Sequence, residues 1–167
     1  MNEPGVVILG FMGCGKTAVA RELALLRNQP WVDLDQRIEE QEGRSPKQII
    51  IEDGETAFRE TETRVLRKLL ANGERIIALG GGAWTVAVNR EILQQHGSVA
   101  VWLDTPFEIC WKRIAADGQS RPLAPTREIA QKLYSDRREI YSLADLHVSV
   151  GDEPAVAVSK RIAALLR

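Results

Sequence analysis

The sequence predicts an α/β fold in which helices cover both faces of a parallel β-sheet. Three observations predict it: short apolar runs alternate with helical spacing along the whole chain, the links between them are short, and a glycine-rich motif at residues 10–17 joins the first run to the first helix. Continuous apolar runs are typical of strands that are buried on both faces, and they occupy residues 6–9, 31–32, 76–79, 99–103 and 146–150.

The helices between these runs carry start and stop signals. The first is predicted to run from the phosphate-binding motif to about Arg27. Residues 45–48 and 105–108 each place a hydroxyl cap, a proline at the first helical position and Gln or Glu at the third. A longer helix before Gly73 is indicated by a stripe in which only one residue is polar: Phe58, Glu62, Val65, Leu66, Leu69 and Leu70.

Size and composition limit the function classes. The 167 residues fit one domain (1–167), and 44% hydrophobic with 27% charged residues is ordinary for a soluble globular protein. The net charge of −1 gives no basic field for nucleic acid. No apolar run approaches the roughly 20 residues of a membrane span, and no signal peptide is indicated. We therefore expect a cytoplasmic domain that binds neither nucleic acid nor membrane, and the near-neutral charge is compatible with a monomer.

Cysteine and histidine are too dispersed to predict a disulfide or a metal site. Cys110 lies in an amphipathic stretch that should face the core, and His96 and His147 are isolated. Cys14 lies near the predicted start of a helix, where the pKa of a thiol can fall. A redox-sensitive phosphate loop is therefore an alternative hypothesis for Cys14.

The strongest local signal is GFMGCGKT at residues 10–17, which matches G-x-x-x-x-G-K-[ST]. It follows the first strand and precedes a helix, so backbone N–H groups and the helix N-terminus are placed to bind phosphate. Lys16 is expected to reach the β- and γ-phosphates, and the hydroxyl of Thr17 is expected to bind Mg²⁺. A glycine-rich turn without a ligand is the alternative.

Two carboxylates follow the second strand, at the sheet edge that carries the phosphate loop. Alternate residues of an extended chain point the same way, so Asp33 and Asp35 are both expected to face one site. One can hold Mg²⁺ through water while the other orients an attacking hydroxyl. A pair of helix-capping acids is the alternative.

Arg59 and a run of three glycines extend the candidate site. The planar guanidinium of Arg59 suits a substrate carboxylate, although a solvated helical face with Glu60 and Arg64 paired explains the same residues. Gly80, Gly81 and Gly82 end the third strand and permit close approach of the backbone to a ligand, with a flexible turn as the alternative. Residues 116–127 are the least regular stretch and are predicted to form a mobile loop.

Taken together, these motifs resemble the shikimate kinase family over nearly the full length. The family fold is a three-layer α/β/α arrangement around a five-stranded parallel sheet, the P-loop kinase fold of the nucleoside-monophosphate-kinase type. The resemblance rests on the order and spacing of GFMGCGKT at 10–17, VDLD at 32–35, GRS at 43–45, DGE-x-x-FR-x-x-E at 53–62, GGGA-x-T at 80–85 and RPL at 121–123.

The resemblance implies an enzyme that moves the γ-phosphoryl group of ATP to the 3-hydroxyl of shikimate, with Mg²⁺. On the nucleotide side it places Lys16 and the lid residue Arg121 at the transferring phosphates, and Thr17 and Asp33 at the metal. Arg113 is similar to an arginine that packs on adenine. The implied nucleotide-binding set is Gly13, Cys14, Gly15, Lys16, Thr17, Ala18, Arg113 and Arg121.

On the acceptor side, Asp35 resembles the residue that holds the acceptor hydroxyls and takes the proton, which makes Lys16, Asp35 and Arg121 the catalytic set. Arg59 and Arg137 would bind the substrate carboxylate, with Arg138 as the alternative to Arg137. The implied substrate-binding set is Asp35, Arg59, Gly80, Gly81, Gly82 and Arg137, within a substrate region at about 33–62 and a lid at about 116–127.

The chain departs from the family pattern at Pro46, at Ile50, at Glu139 and in a lid segment that is a few residues shorter. These departures leave the substrate preference open. A related small-molecule kinase, such as one for gluconate, and a nucleotide-binding module without catalysis are the competing functions.

Overall fold

Five parallel strands form one sheet at the centre of the molecule. The computed structural model describes residues 3–167. The strand order is β2-β3-β1-β4-β5, and all four pairings are parallel. The predicted five-stranded parallel sheet is therefore confirmed, with strand ends moved by at most one residue. The strands are β1 (Val6–Leu9), β2 (Trp31–Asp33), β3 (Ile76–Ala78), β4 (Val99–Asp104) and β5 (Leu146–Ser149).

The connections place helices on both faces of the sheet. Crossovers between parallel strands are right-handed. The first crossover runs outward from β1 to β2, and the later crossovers run in the opposite direction across the sheet. The first crossover therefore lies on the opposite face of the sheet from the later ones. The last helix packs on the first. The helices are α1 (Lys16–Arg27), α2 (Leu34–Glu42), α3 (Pro46–Asp53), α4 (Glu55–Ala71), α5 (Ala87–Gln95), α6 (Phe107–Asp117), α7 (Arg127–Tyr141) and α8 (Ala155–Leu165).

The topology fixes where a ligand can bind. After β1 the chain turns towards β2, whereas after β3 it crosses to β4 on the other side. The segments that follow these two neighbouring strands therefore separate and leave a crevice at the carboxyl ends of β1 and β3. The phosphate loop and the three glycines both lie at this crevice.

One of the two predicted helix caps is confirmed and the other is wrong. The Ser45 hydroxyl accepts from the Gln48 N–H at 3.2 Å, and Gln48 Oε1 accepts from the Ser45 N–H at 2.8 Å, which is a complete capping box. At α6 the cap position is Pro106, with no side-chain cap. Thr105 is buried, and its hydroxyl donates to the Cys14 carbonyl at 3.2 Å instead. A tertiary contact has taken the hydroxyl that the local pattern assigned to the helix.

The long-helix prediction is confirmed in α4, because all six residues of the predicted stripe are buried and Gly73 follows the helix with a φ of +82°. The predicted loop at 116–127 is shorter than expected. Helix α6 continues to Asp117 and α7 begins at Arg127, so the irregular segment is 118–126. Within residues 3–167, no helix has the length and apolar character that crossing a membrane requires.

Candidate active site

The phosphate loop wraps around the side chain of Lys16. Its Nζ donates to the carbonyls of Gly10 at 2.9 Å and Phe11 at 3.0 Å. Gly13 and Gly15 have φ values of +75° and +99°, which favour glycine. A Cβ at Gly13 would also lie 2.7 Å from the Cys110 carbonyl. The loop therefore holds a conformation in which the amine of Lys16 lies inside it, against two backbone carbonyl oxygens.

Cys14 lies beneath the loop instead of facing a ligand. Only 1% of the residue is exposed, its Sγ is 3.8 Å from Lys16 Nζ, and its N–H donates to the Phe11 carbonyl at 3.1 Å. Cys110 is also fully buried, as predicted, and burial raises the pKa of its thiol to about 12. Cys14 thus packs against the core, and it also lines the pocket beside Gly15 and Ala18 on the nucleotide side assigned from the sequence.

Thr17 and Asp33 meet at the start of α1. The Thr17 hydroxyl donates to Asp33 Oδ2 at 2.6 Å, while Asp33 Oδ1 accepts from the Gln36 N–H at 3.2 Å and caps α2. The helix-capping alternative is therefore correct for Oδ1 of Asp33. The other oxygen, Oδ2, contacts Thr17 at the end of the phosphate loop. A hydroxyl and a carboxylate oxygen at this position are suitable ligands for a hard cation.

Asp35 reaches the same cleft by a different route from the one predicted. It lies in the first turn of α2 and not in extended chain, so alternation along a strand is the wrong reason for its position. Its Oδ1 is buried and has no hydrogen-bond partner among the residues described. Burial, with the Asp33 carboxylate nearby, raises the pKa of Asp35 to about 6, although Lys16, Arg59 and Arg121 oppose the shift. A buried acceptor with a raised pKa is well suited to orient a hydroxyl and take its proton.

Arg59 is held by carboxylates of its own helix. Its NH1 donates to Glu62 Oε1 at 2.8 Å, and its NH2 is 3.5 Å from Glu55 Oε1. The alternative of an exposed Glu60–Arg64 pair is wrong, because Arg64 pairs with Glu42. The guanidinium of Arg59 therefore has a defined position on the wall of the cleft.

Glu62 is a buried charge that the sequence-based site assignment omitted. It is 0% exposed, and its Oε2 has no partner in the described part of the chain. Burial raises the pKa of Glu62 to about 7 against the opposing charge of Arg59. The available signal was its place as the single polar residue in an otherwise apolar helical stripe.

The three glycines follow β3 and let the surrounding side chains converge. A Cβ at Gly80 would lie 2.8 Å from Asp35 Oδ1 and 3.0 Å from Glu62 Oε2, and one at Gly82 would overlap the guanidinium of Arg59. The Gly81 carbonyl accepts a hydrogen bond from the Tyr141 hydroxyl. Close packing therefore requires glycine at Gly80 and Gly82, whereas a Cβ at Gly81 would make only ordinary contacts, the nearest at 3.4 Å from Arg137.

The structure separates the two adjacent arginines of α7. Arg137 is 7% exposed and lines the cleft next to Gly81. Arg138 points elsewhere and makes a two-point ion pair with Asp104 at 2.5 and 3.1 Å, with its guanidinium over the Trp102 ring. Of these two arginines, only Arg137 is placed to meet a ligand in the cleft.

Lid residues close one side of the same cavity, which has a volume of about 150 Å³. Arg121 pairs with Asp117 at 3.1 Å, and its Nε is buried without a partner in residues 3–167. The full lining extends from the phosphate loop through α2, α3 and α4 to the glycines, the lid and α7: Met12, Asp35, Pro46, Lys47, Ile50, Phe58, Arg59, Glu62, Gly80, Gly81, Gly82, Gln119, Ser120, Arg121, Pro122, Leu123 and Arg137.

A second pocket lies on the other side of the phosphate loop. Arg113 donates to the Gly13 carbonyl at 3.1 Å and lines this pocket of about 280 Å³ together with Gly15 and Ala18. Its outer wall is the segment from Val150 to Ala155, which the sequence-based assignment missed because no motif marks it. The pocket adjoins the helix N-terminus, where the body of a nucleotide would extend from its phosphates.

Comparisons with known proteins agree with this geometry. The family model described as shikimate kinase matches residues 12–167. A shikimate kinase of Ruegeria pomeroyi is 39% identical over 96% of this chain and 84% of its own. The structure of a shikimate kinase from Acinetobacter baumannii in complex with shikimate has a TM-score of 0.89 and 33% identity, covering 98% of this chain and 92% of its own. A gluconokinase from Sinorhizobium meliloti, at a TM-score of 0.63 and 19% identity over 99% of this chain and 97% of its own, shares the fold alone.

Proposed function

The chain belongs to the shikimate kinase family and catalyses the ATP-dependent phosphorylation of shikimate, and we propose that the transfer takes place in the cleft at the carboxyl ends of β1 and β3 with the 3-hydroxyl as acceptor. The observation that carries the site assignment is the convergence of one buried carboxylate, Asp35, and two arginines, Arg59 and Arg137, on a single cavity beside the phosphate loop. A carboxylate substrate with several hydroxyls requires this combination of cations and acceptors.

Binding and alignment are divided among these side chains. Arg59 and Arg137 bind the substrate carboxylate, and Arg59 is oriented for this by Glu62. Asp35 accepts from the hydroxyl that attacks and receives its proton. The backbone of Gly80–Gly82 follows the substrate closely, since no side chain intervenes. All these groups come from one chain.

Catalysis then depends mainly on alignment and on charge. Phosphoryl transfer passes through a loose transition state in most analyses, so little covalent chemistry is left to the protein. Lys16 stabilises the developing negative charge from within the loop, and Arg121 reaches the same phosphates from the lid. Closure of segment 118–126 excludes water, which is the obvious competing acceptor.

Thr17 and Asp33 would hold Mg²⁺, with Asp33 acting through water. Mg²⁺ usually takes only one or two protein oxygens and completes its shell with water and phosphate, which fits the hydroxyl–carboxylate pair at 2.6 Å. When bound, Mg²⁺ neutralises charge on the β- and γ-phosphate oxygens.

The acceptor is tested by measuring ADP release from MgATP with shikimate, with gluconate and with no acceptor. We expect strong stimulation by shikimate alone, because the chain belongs to the shikimate kinase family and shares only its fold with the gluconokinase. Equal stimulation by gluconate would favour a broader hydroxy-acid kinase. Nucleotide binding with no stimulation by either compound would favour a non-catalytic nucleotide-binding module.

The assignment of the second arginine is tested with Arg137→Lys and Arg138→Lys. Lysine lacks the planar fork that binds a carboxylate at two points, so Arg137→Lys should raise the KM for shikimate about tenfold or more and leave the KM for ATP unchanged. Arg138→Lys is the matched control, because Arg138 pairs with Asp104 outside the cavity. A larger shikimate effect in Arg138→Lys would contradict the assignment.

A further inference from the structure

Glu62 has a buried carboxylate oxygen that takes no part in orienting Arg59. One of its oxygens accepts from Arg59, but Oε2 lies buried beside Gly80 with no hydrogen-bond partner among residues 3–167. Asp35 Oδ1 is equally unpartnered, and both atoms are within 3.0 Å of the single point that a Cβ of Gly80 would occupy. Two buried acceptors thus face one small region that contains no donor.

The anionic form of Glu62 depends on two cations. Arg59 of α4 and Arg137 of α7 face it as cations, and Asp35 of α2 faces it as an anion. Two further cations, Lys47 and Arg121, line the cavity as a whole. A substrate carboxylate on Arg59 and Arg137 would neutralise the two cations that stabilise the buried Glu62 carboxylate, and uncompensated charge is costly at a position shielded from water.

We propose that Glu62 takes up one proton when a carboxylate substrate binds to Arg59 and Arg137, an inference that rests on the proposed function of this cavity. The proton comes from solvent and forms an O–H bond on Glu62 Oε2. It removes the negative charge on Glu62 that the two engaged arginines would no longer compensate, and it supplies the donor that the region beside Gly80 lacks. The proton returns to solvent when the ligand leaves.

Glu62 is better placed than Asp35 to hold this proton. Asp35 must stay an acceptor for the substrate hydroxyl, and Lys16, Arg59 and Arg121 all favour its charged form. Glu62 is favoured as an anion only by Arg59 and Arg137, the two cations that the substrate carboxylate would engage. Burial already raises the pKa of Glu62 to about 7, so a small further shift is enough for protonation at neutral pH. Its Oε1 continues to accept from Arg59 after Oε2 is protonated.

The sign of the pH dependence follows from this linkage. Above about pH 7, free Glu62 is mostly ionised, so binding must take up a proton, and the affinity for substrate falls by up to about tenfold per pH unit. Below that range, Glu62 is already protonated in the free enzyme, and its contribution to the pH dependence disappears.

Calorimetric titration with shikimate, without nucleotide and in two buffers of different ionisation enthalpy, counts the protons directly. At about pH 8 we expect an uptake approaching one proton, which declines at about pH 5.5. Glu62→Gln keeps an acceptor for Arg59 but cannot take up a proton, so its uptake should vanish and its dissociation constant should become independent of pH above about pH 7. Glu60→Gln is the matched control, since Glu60 is an exposed glutamate of the same helix that does not line the cavity, and it should behave like the unmodified chain.

Each outcome has a distinct meaning. Shikimate binding without proton uptake would overturn this inference alone, and so would an uptake that persists in Glu62→Gln. No shikimate binding by the unmodified chain would overturn the proposed function, and this inference with it.

Discussion

Asp35→Asn is expected to lower kcat by about 100-fold or more while leaving the dissociation constant for ATP nearly unchanged. Asn has the shape of Asp but presents an N–H group to the region beside Gly80 and cannot receive a proton. The acceptor hydroxyl would then be displaced from the line of attack, and misalignment is costly in a reaction that depends on positioning. The measurement is steady-state phosphorylation of shikimate together with equilibrium binding of nucleotide.

Asp104→Asn provides the control for this substitution. Asp104 is paired with Arg138 outside the cavity, so its replacement removes a structural ion pair without touching the proposed acceptor site. We expect kcat close to that of the unmodified enzyme. Near-normal turnover in Asp35→Asn would contradict the role of Asp35, and an equal loss in both variants would indicate a general structural effect.

Lys16→Ala is expected to reduce kcat by about 1000-fold and also to weaken ATP binding. The amine is placed within the loop by two carbonyls, at 2.9 and 3.0 Å, so no other described side chain occupies the position from which it would contact the β- and γ-phosphates. Unlike Asp35, it contacts the nucleotide both before and during transfer. The loss should therefore be visible in the ATP dissociation constant as well as in kcat.

Lys16→Met separates charge from packing in this experiment. Methionine retains the bulk that fills the loop but supplies no positive charge and no donors. We expect Lys16→Met to be as inactive as Lys16→Ala, with thermal stability close to that of the unmodified chain. Recovery of activity in Lys16→Met would contradict an electrostatic role and assign the loss in Lys16→Ala to a collapsed loop.

The sequence alone was sufficient for the five strands, for their order along the chain and for four of the eight helices, but not for α2, where extended chain was expected at Asp35. Strands buried on both faces require continuous apolar runs, and helices with one buried face require apolar residues at a 3.6-residue period. Both patterns can therefore be recognised within short stretches of sequence. The phosphate loop was equally readable, because its glycines and lysine are adjacent in the chain. The resemblance to the family added the acceptor-side residues, and the cavity contains Asp35, Arg59, Gly80, Gly81, Gly82, Arg121 and Arg137.

Only the tertiary structure decided which partner each of several polar side chains takes. Thr105 matched a helix cap but donates to the Cys14 carbonyl, and Arg138 matched a carboxylate-binding position but pairs with Asp104. Glu62 had no role in the sequence-based assignment, yet it lies fully buried against Arg59. Hydrogen bonds and ion pairs of this kind join residues far apart in the chain or depend on burial. Their geometry exists only once the chain has folded around the sheet.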